Sequence, residues 1–217
     1  MEAFQRIVYC ITWIILWPVF RIFFNIRVHS PSGLLKDIKP PILVVANHMA
    51  IIDSWLVPAM FPISCLLFPF HHMGETRNFR SRWLKILKFF GIIKFIYIIF
   101  GVIPVVRGLN LERVLEAPAR ALRSGKTVMI YPEGRRVQED IVERFKRGAA
   151  ALHKMTGVPI LPVSIRYLKR RGLRRQVIVN FGQPFHIPEN LFKEGDIYYK
   201  DATEYLRQRI LKLYSQM

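Results

Sequence analysis

Cysteine and acidic residues are scarce in this sequence. Only Cys10 and Cys65 occur among 217 residues, no CxxC pair is present, and no His and Cys residues share metal-ligand spacing. These absences exclude a disulfide scaffold and a zinc site, and we expect no bound metal. Fifteen Asp and Glu face 33 Lys and Arg, which leaves a net charge of +18.

An N-terminal apolar run that is both free of charge and long enough to cross a bilayer is also lacking. Ile7 to Phe20 carries no charge, but as a helix it reaches only about 21 Å, against a hydrocarbon core of about 30 Å. Extension to Val28 takes in Arg21 and Asn25, and Pro18 favours a break. We therefore expect two short helices inserted into one leaflet, with a helix that spans the bilayer as the alternative. No small-residue cleavage site follows, so a removed signal peptide is not expected.

High charge is combined here with high hydrophobicity, since 52% of the residues are hydrophobic and the mean hydropathy is +0.21. Nucleic-acid binders share the charge but seldom the hydrophobicity, so no nucleic-acid partner is expected. The combination favours an anionic membrane surface, where each basic residue contributes about 1 kcal/mol. We expect a monotopic protein on the cytoplasmic face of the cell membrane. A second apolar stretch, Trp83 to Val106, fits an interfacial helix with snorkelling lysines and buried core equally well. His71 and His72 are expected at the interface.

The rest of the chain alternates apolar strands with helices. Length favours one domain, divided here into membrane helices at residues 1–28 and an α/β domain at 29–217. Such alternation predicts a mostly buried mixed sheet flanked by helices. The expected strands are Ile42 to Ala46, Thr127 to Tyr131, Ile160 to Ile165 and Gln176 to Phe181, and the expected helices are Leu111 to Arg123, Ile141 to Thr156 and Lys200 to Leu213.

The stretch VVANHMAIIDSW places His48 and Asp53 five residues apart in apolar surroundings. Neither a regular helix nor a regular strand makes them neighbours. A strand that ends near His48 and turns into a helix carrying Asp53 would do so, at the strand end where α/β folds place their sites. For a lone pair, a buried histidine and a helix-capping aspartate remain the alternative.

Four further segments accompany that pair: GVIPVVRG at 101–108, YPEGRR at 131–136, FKRG at 145–148 and GVPILPVSI at 157–165. In this order and spacing, the set resembles the glycerolipid acyltransferases, most closely the bacterial lysophosphatidic acid acyltransferases. The resemblance covers about residues 40 to 190. Five positions depart from the family pattern: Met49 and Ala50 stand where a small polar residue is common, Tyr131 replaces phenylalanine, Arg135 replaces threonine and Val137 replaces serine.

The resemblance implies a site built from His48 and Asp53 as the catalytic pair. Histidine supplies a base near neutral pH, and Asp53 would fix its tautomer and stabilise the imidazolium. No GxSxG elbow occurs, so we expect direct attack by the substrate hydroxyl without an acyl-enzyme. The expected acceptor-binding residues are Arg107, Glu133, Gly134, Arg135, Arg136 and Lys146.

Within that group the arginines would grip a phosphate bidentately. Glu133 would orient them or bond the glycerol hydroxyls, with a plain surface ion pair as the alternative. The implied reaction acylates the sn-2 hydroxyl of 1-acyl-glycerol-3-phosphate to give phosphatidic acid. No cofactor is expected; the co-substrate is an acyl-CoA or acyl carrier protein thioester.

Other functions remain open on the sequence alone. Glycerol-3-phosphate or another lysolipid would use similar residues. A basic peripheral membrane or nucleic-acid binding protein without catalysis is the alternative from a different class, and the basic stretch at 166–176 would suit it. That class leaves His48, Asp53 and Glu133 unexplained.

Overall fold

The computed structural model describes residues 2–64, 67–75, 91–105, 110–137, 141–168, 174–193 and 198–216. Seven helices and seven strands are described there, together with a short 3-10 helix at Glu189–Leu191. In chain order they are α1 (Glu2–Phe23), β1 (Phe24–His29), α2 (Leu34–Asp37), β2 (Ile42–Ala46), α3 (Asp53–Ala59), β3 (Phe70–Glu75), α4 (Ile92–Ile99), β4 (Ile103–Val105), α5 (Leu111–Arg123), β5 (Thr127–Ile130), α6 (Gly148–Thr156), β6 (Ile160–Tyr167), β7 (Arg175–Phe181) and α7 (Lys200–Ser215).

The strands form one sheet in the order β1-β7-β6-β2-β5-β3-β4. All neighbours run parallel except β6 and β7, which are antiparallel. The predicted α/β fold with a mixed sheet is confirmed. Because β2, β5 and β6 are parallel neighbours, their carboxyl ends meet at the same edge of the sheet, where α/β folds hold their ligands.

Both faces of the central strands are covered, which explains why β2 is apolar at every position. Val44 and Ala46 pack into the core on the side of α1 and α3, and Leu43 and Val45 into the core on the side of α5, α6 and α7. All five residues of β2 are buried. An alternating pattern would have left one face to solvent; a continuous apolar strand fits a parallel sheet covered on both sides.

The N-terminal segment differs from its prediction. Instead of two short helices through residue 28, one helix, α1, runs to Phe23 with Pro18 inside it, and β1 then joins the sheet beside β7. The proline removes one intrahelical hydrogen bond, but Tyr9 and Phe20 on either side of it are buried against the domain. Tertiary packing therefore outweighs the local cost, and residues 24–29 are part of the sheet.

Two other expectations are wrong in part. The helix expected from Ile141 begins only at Gly148. The backbone carbonyls of Val142 and Glu143 instead accept hydrogen bonds from the Arg207 guanidinium of α7. The histidines expected at the membrane interface, His71 and His72, lie in β3 and are buried.

One surface formed by α1 and α4 is apolar and exposed. Its members, here called the apolar face, are Phe4, Ile7, Ile11, Ile14, Ile15, Val19, Ile22, Phe23, Ile92, Phe95, Ile96 and Ile98. Of the stretch Trp83 to Val106, residues 91–105 are described, and α4 within it is exposed rather than core. Among the described residues, α1 is the one helix whose length and composition would suffice to cross a membrane.

Candidate active site

His48 follows the carboxyl end of β2, and Asp53 opens α3 five residues later. The strand-to-helix turn expected from the sequence is confirmed: His48 Nδ1 lies 2.9 Å from Asp53 Oδ2. The Asp53 side chain is fully buried, whereas that of His48 is 18% exposed. A carboxylate only accepts hydrogen bonds, so Nδ1 carries the proton and Nε2 keeps its lone pair.

The turn itself is held by the same carboxylate. Asp53 Oδ2 accepts hydrogen bonds from the backbone N–H groups of Met49 and Ala50, each at 2.7 Å. Both N–H groups belong to the turn between β2 and α3, so the carboxylate holds that turn closed. Asp53 therefore shapes the turn and orients the imidazole at once.

The second oxygen of Asp53 has a partner from a distant strand. Tyr167, the last residue of β6, donates its hydroxyl to Asp53 Oδ1 at 2.6 Å. Burial, followed by the charge of Asp53, raises the pKa of Tyr167 well above its usual range. Sequence analysis missed this residue, since a tyrosine at the end of an apolar strand carries no signal for a partner 114 positions earlier.

Asn47 fixes the strand end from which His48 projects. Its buried amide donates to the Ile165 carbonyl at 2.9 Å and accepts from the Ile165 N–H at 2.7 Å. A side chain thus makes the pair of bonds that another strand residue would make. The end of β2 is thereby locked to β6, and the starting point of the His48 side chain is fixed.

Glu133 lies beyond β5 and is buried, with 3% of its surface exposed. Its two oxygens accept hydrogen bonds from the backbone N–H groups of His48, at 2.8 Å, and Glu143, at 3.0 Å. Burial raises the pKa of Glu133, and these two N–H donors act in the opposite direction. Glu133 is too buried for the alternative of a surface ion pair. Its described contacts hold the backbone of His48 and Glu143, and its expected role towards the arginines or the glycerol hydroxyls stays a prediction.

The same loop also holds the other backbone group of His48, because Val137 N–H donates to the His48 carbonyl at 2.8 Å. Gly134 sits between these contacts with a φ of +68°, a conformation that side chains disfavour. An added Cβ there would lie 2.8 Å from Lys146 Nζ. Gly134 therefore permits both the turn and the close approach of Lys146.

The cationic candidates stand on the exposed side of this loop. Arg135, Arg136 and Lys146 are all exposed. Arg135 is paired with Glu143 through two hydrogen bonds, so its charge is partly neutralised. Arg107 lies outside the described residues.

A tyrosine ring covers one side of the imidazole. Tyr131 stacks on His48 with ring centroids 4.1 Å apart and planes 19° from parallel. Burial of the phenol raises its pKa well above the usual value, so Tyr131 stays neutral. The stacked ring of Tyr131 limits the rotation of the His48 imidazole. This contact involves the aromatic ring and not the Tyr131 hydroxyl.

The chain matches the family model described as Acyltransferase over residues 25–166. This chain belongs to the Acyltransferase family. The match includes β2, β5 and most of β6, with His48, Asp53 and Glu133 inside it. The predicted acyltransferase is thus confirmed as a family and as an enzyme class.

Two proteins similar to this acyltransferase share one name. This acyltransferase is 24% identical over 199 residues to the 1-acyl-sn-glycerol-3-phosphate acyltransferase of Bacillus subtilis, covering 89% of this chain and 90% of that one. It is 24% identical over 180 residues to the enzyme of the same name from Borreliella burgdorferi, covering 80% of this chain and 66% of that one.

A solved structure has the same fold. The 1-acyl-sn-glycerophosphate acyltransferase PlsC from Thermotoga maritima superposes with a TM-score of 0.57 at 19% identity, covering 98% of this chain and 78% of the other. At that identity the likeness establishes the fold of this acyltransferase and nothing finer.

The imidazole of His48 is the candidate base of this site. Within the described residues, no group of three or more His, Cys, Asp or Glu side chains could hold a metal ion. His48 Nε2 faces away from Asp53, on a side chain that solvent reaches. The arrangement places an oriented imidazole next to a loop that carries exposed cations, and an imidazole can act as a general base.

Proposed function

We propose that the protein transfers a fatty acyl group from a thioester to the sn-2 hydroxyl of 1-acyl-glycerol-3-phosphate, giving phosphatidic acid. The observation that carries the proposal is the His48–Asp53 pair, 2.9 Å apart, at the carboxyl end of the central strand. Relatives named for this reaction support the choice of acceptor, because the Bacillus subtilis enzyme aligns along 90% of its own length.

The reaction needs no covalent intermediate. His48 Nε2 takes the proton of the acceptor hydroxyl while the oxygen attacks the thioester carbonyl. Asp53, held by Met49, Ala50 and Tyr167, stabilises the imidazolium that forms. The tetrahedral intermediate then expels the thiolate, which receives the proton from His48. The C–O bond replaces the C–S bond, and the enzyme returns to its starting state.

The acceptor phosphate is bound, in this proposal, by cations around the loop that follows β5. Arg136 and Lys146 are exposed there, and Arg135 is tethered to Glu143. Arg107 is assigned to the same phosphate by its motif. A guanidinium matches two phosphate oxygens at once, whereas an ammonium offers a point charge.

Replacing Arg107 with alanine is expected to raise the KM for the acceptor by roughly one to two powers of ten, as lost charge-assisted hydrogen bonds worth about 1.5 to 3 kcal/mol imply. The phosphate takes no part in bond making, so kcat should change little. Arg107→Lys should recover part of the loss. Arg120→Ala, on the exposed side of α5 beside Glu116, is the control. A raised donor KM with an unchanged acceptor KM would move Arg107 to the donor site.

For the donor, acyl-CoA and acyl carrier protein suit the protein equally, because both are acidic and the chain carries a charge of +18. Steady-state rates with each thioester at matched chain length distinguish them. The preferred donor should show a higher kcat/KM that falls as salt rises.

We propose that the protein lies on one leaflet through the apolar face. Along α1, three polar side chains tie the helix to the domain: Gln5 donates to the Ile98 carbonyl, Tyr9 to that of Phe70, and Trp13 to those of Ala59 and Phe61. Their spacing of four residues puts them on one stripe of the helix. A helix fastened along that stripe presents its opposite, apolar side to lipid over its whole length.

The variant Ile11→Gln with Ile15→Gln should bind anionic vesicles at least about ten-fold more weakly, since burial of each isoleucine contributes about 1.5 to 3 kcal/mol. High salt should weaken only the electrostatic share. Tyr198→Ser, which changes an exposed aromatic two residues before α7, is the control. Equal sedimentation of both variants with vesicles would exclude the apolar face. Truncation near Val28 would remove β1 as well, so point variants are the cleaner design.

Product analysis tests the proposed function. Purified protein is incubated with acyl-CoA and, in separate reactions, 1-acyl-glycerol-3-phosphate, glycerol-3-phosphate or a lysophosphatidylcholine, and products are identified by mass spectrometry. Phosphatidic acid from the first acceptor at the highest kcat/KM supports the proposal. A higher kcat/KM with either of the others would replace the acceptor.

A further inference from the structure

Tyr167 is tied to the catalytic candidates by a single short contact. In the sheet register Ala46 pairs with Val163, so β6 runs on for four residues beyond the end of β2 and brings Tyr167 over the start of α3. Its hydroxyl lies 2.6 Å from Asp53 Oδ1. Both residues are buried, with 7% of Tyr167 and none of Asp53 exposed.

The two oxygens of Asp53 have different partners. Oδ2 faces the imidazole and two backbone N–H groups, whereas the hydroxyl of Tyr167 is the described contact of Oδ1. Tyr167 stays protonated through the pH range of catalysis, because burial and the charge of Asp53 both raise its pKa. It is therefore a permanent donor and takes no part in proton transfer.

The ring of Tyr167 is itself held from two sides. The Arg175 guanidinium of β7 lies 5.1 Å from the ring centroid, and Phe24 of β1 contacts the ring edge-on at 6.4 Å. Three strands of the sheet thus define where the hydroxyl points. Such support is what a group needs if it is to hold another in productive geometry.

We propose that Tyr167 is a positioning residue of the acyl transfer: its hydroxyl fixes the rotation of the Asp53 carboxylate and takes up part of its negative charge. The inference rests on the proposed roles of His48 and Asp53. With Oδ1 bonded to Tyr167, Oδ2 is kept turned towards His48. Shared charge on Asp53 also limits how tightly the imidazole holds its proton, so that His48 is an unprotonated base at a lower pH.

Loss of the hydroxyl therefore has two expected effects. In Tyr167→Phe the carboxylate is free to rotate, and kcat should fall by roughly ten-fold, the scale of one lost hydrogen bond to a buried charge. The undivided charge of Asp53 should hold the imidazolium more strongly. The acid limb of kcat/KM should therefore move to higher pH by about half a unit or more, while the KM for the acceptor stays near its original value.

Neighbouring ionisable groups are the same in the wild-type protein and in Tyr167→Phe. Those that surround the pair among the described residues are Tyr9 of α1, His72 of β3, Tyr131 and Glu133 after β5, and Arg175 of β7. All of them are retained in the variant, so a displaced acid limb reports the lost hydroxyl.

The control variant is Tyr214→Phe in α7. Tyr214 is also 7% exposed and also lies under a guanidinium, that of Arg166, at 5.2 Å, but it packs in the core on the opposite face of the sheet. Tyr214→Phe should lose as much thermal stability as Tyr167→Phe. The acid limb of its kcat/KM profile should stay at the wild-type pH.

A second readout does not depend on activity. The imidazole signal of His48, assigned by its absence in His48→Ala, is followed by NMR across a pH titration. Its midpoint should rise in Tyr167→Phe and stay fixed in Tyr214→Phe. An unmoved midpoint and acid limb in Tyr167→Phe would overturn the proposal. If the wild-type chain fails to acylate the acceptor, the proposed function fails, and the NMR midpoint still decides the role of Tyr167.

Discussion

Replacing His48 with alanine is expected to lower kcat by roughly 10² to 10⁴-fold, the usual contribution of general acid–base catalysis. The imidazole is the group whose Nε2 is available to the acceptor hydroxyl, because its Nδ1 is committed to Asp53. The fold should survive, since the backbone contacts of His48 with Glu133 and Val137 do not involve its side chain. Initial rates at saturating donor and acceptor measure the effect.

His29→Ala is the matched control for that experiment. His29 is an exposed histidine at the end of β1, distant from β2 in the strand order. Its loss should leave kcat within about two-fold, because surface substitutions away from a site have small effects. A His48→Ala protein that is folded and turns over at the wild-type rate would contradict the mechanism.

Replacing Asp53 with asparagine should be almost as damaging, with kcat reduced by roughly 10² to 10⁴-fold. The amide oxygen of the asparagine can take the place of Oδ2 and accept hydrogen bonds from Met49, Ala50 and His48. Its amide nitrogen can take the place of Oδ1 and donate to the Tyr167 hydroxyl. Geometry and tautomer are thus retained while the negative charge is removed. The imidazolium then loses its stabilisation, so the acid limb of kcat/KM should move to lower pH.

The control for the charge is Asp201→Asn. Asp201 lies in the first turn of α7, as Asp53 lies in the first turn of α3, and it is partly exposed beside Lys193. It should lose little activity and show an unmoved pH profile. If Asp53→Asn retains wild-type kcat with correct folding, the carboxylate serves only to shape the turn after β2.

The contact between His48 and Asp53 could be predicted because it is local. A strand, a turn and a helix start follow one another within a dozen residues, and each leaves a pattern in the sequence. The motif spacing then indicated the family. The roles predicted for the site residues stay predictions until the variants are measured; these residues are His48, Asp53, Arg107, Glu133, Gly134, Arg135, Arg136 and Lys146.

Contacts between distant segments left no such pattern. Glu133 was expected among cations, yet it bonds the backbone of His48, 85 positions away, and a backbone N–H has no sequence signature. Tyr167 was missed for the same reason. The strand β1 was hidden because its residues FNIRVH continue an apolar N-terminal run, and only its partner β7 makes it a strand.

Acceptor dependence of thiol release tests direct transfer most sharply. The purified protein is mixed with the thioester donor, with and without 1-acyl-glycerol-3-phosphate. The release of free thiol is followed before steady state, and the mass of the intact protein is measured by mass spectrometry. We predict thiol release only with the acceptor, in equal amounts with phosphatidic acid, and an unchanged protein mass. A burst of about one thiol per chain without acceptor, together with an acyl adduct on the protein, would contradict direct attack by the acceptor hydroxyl.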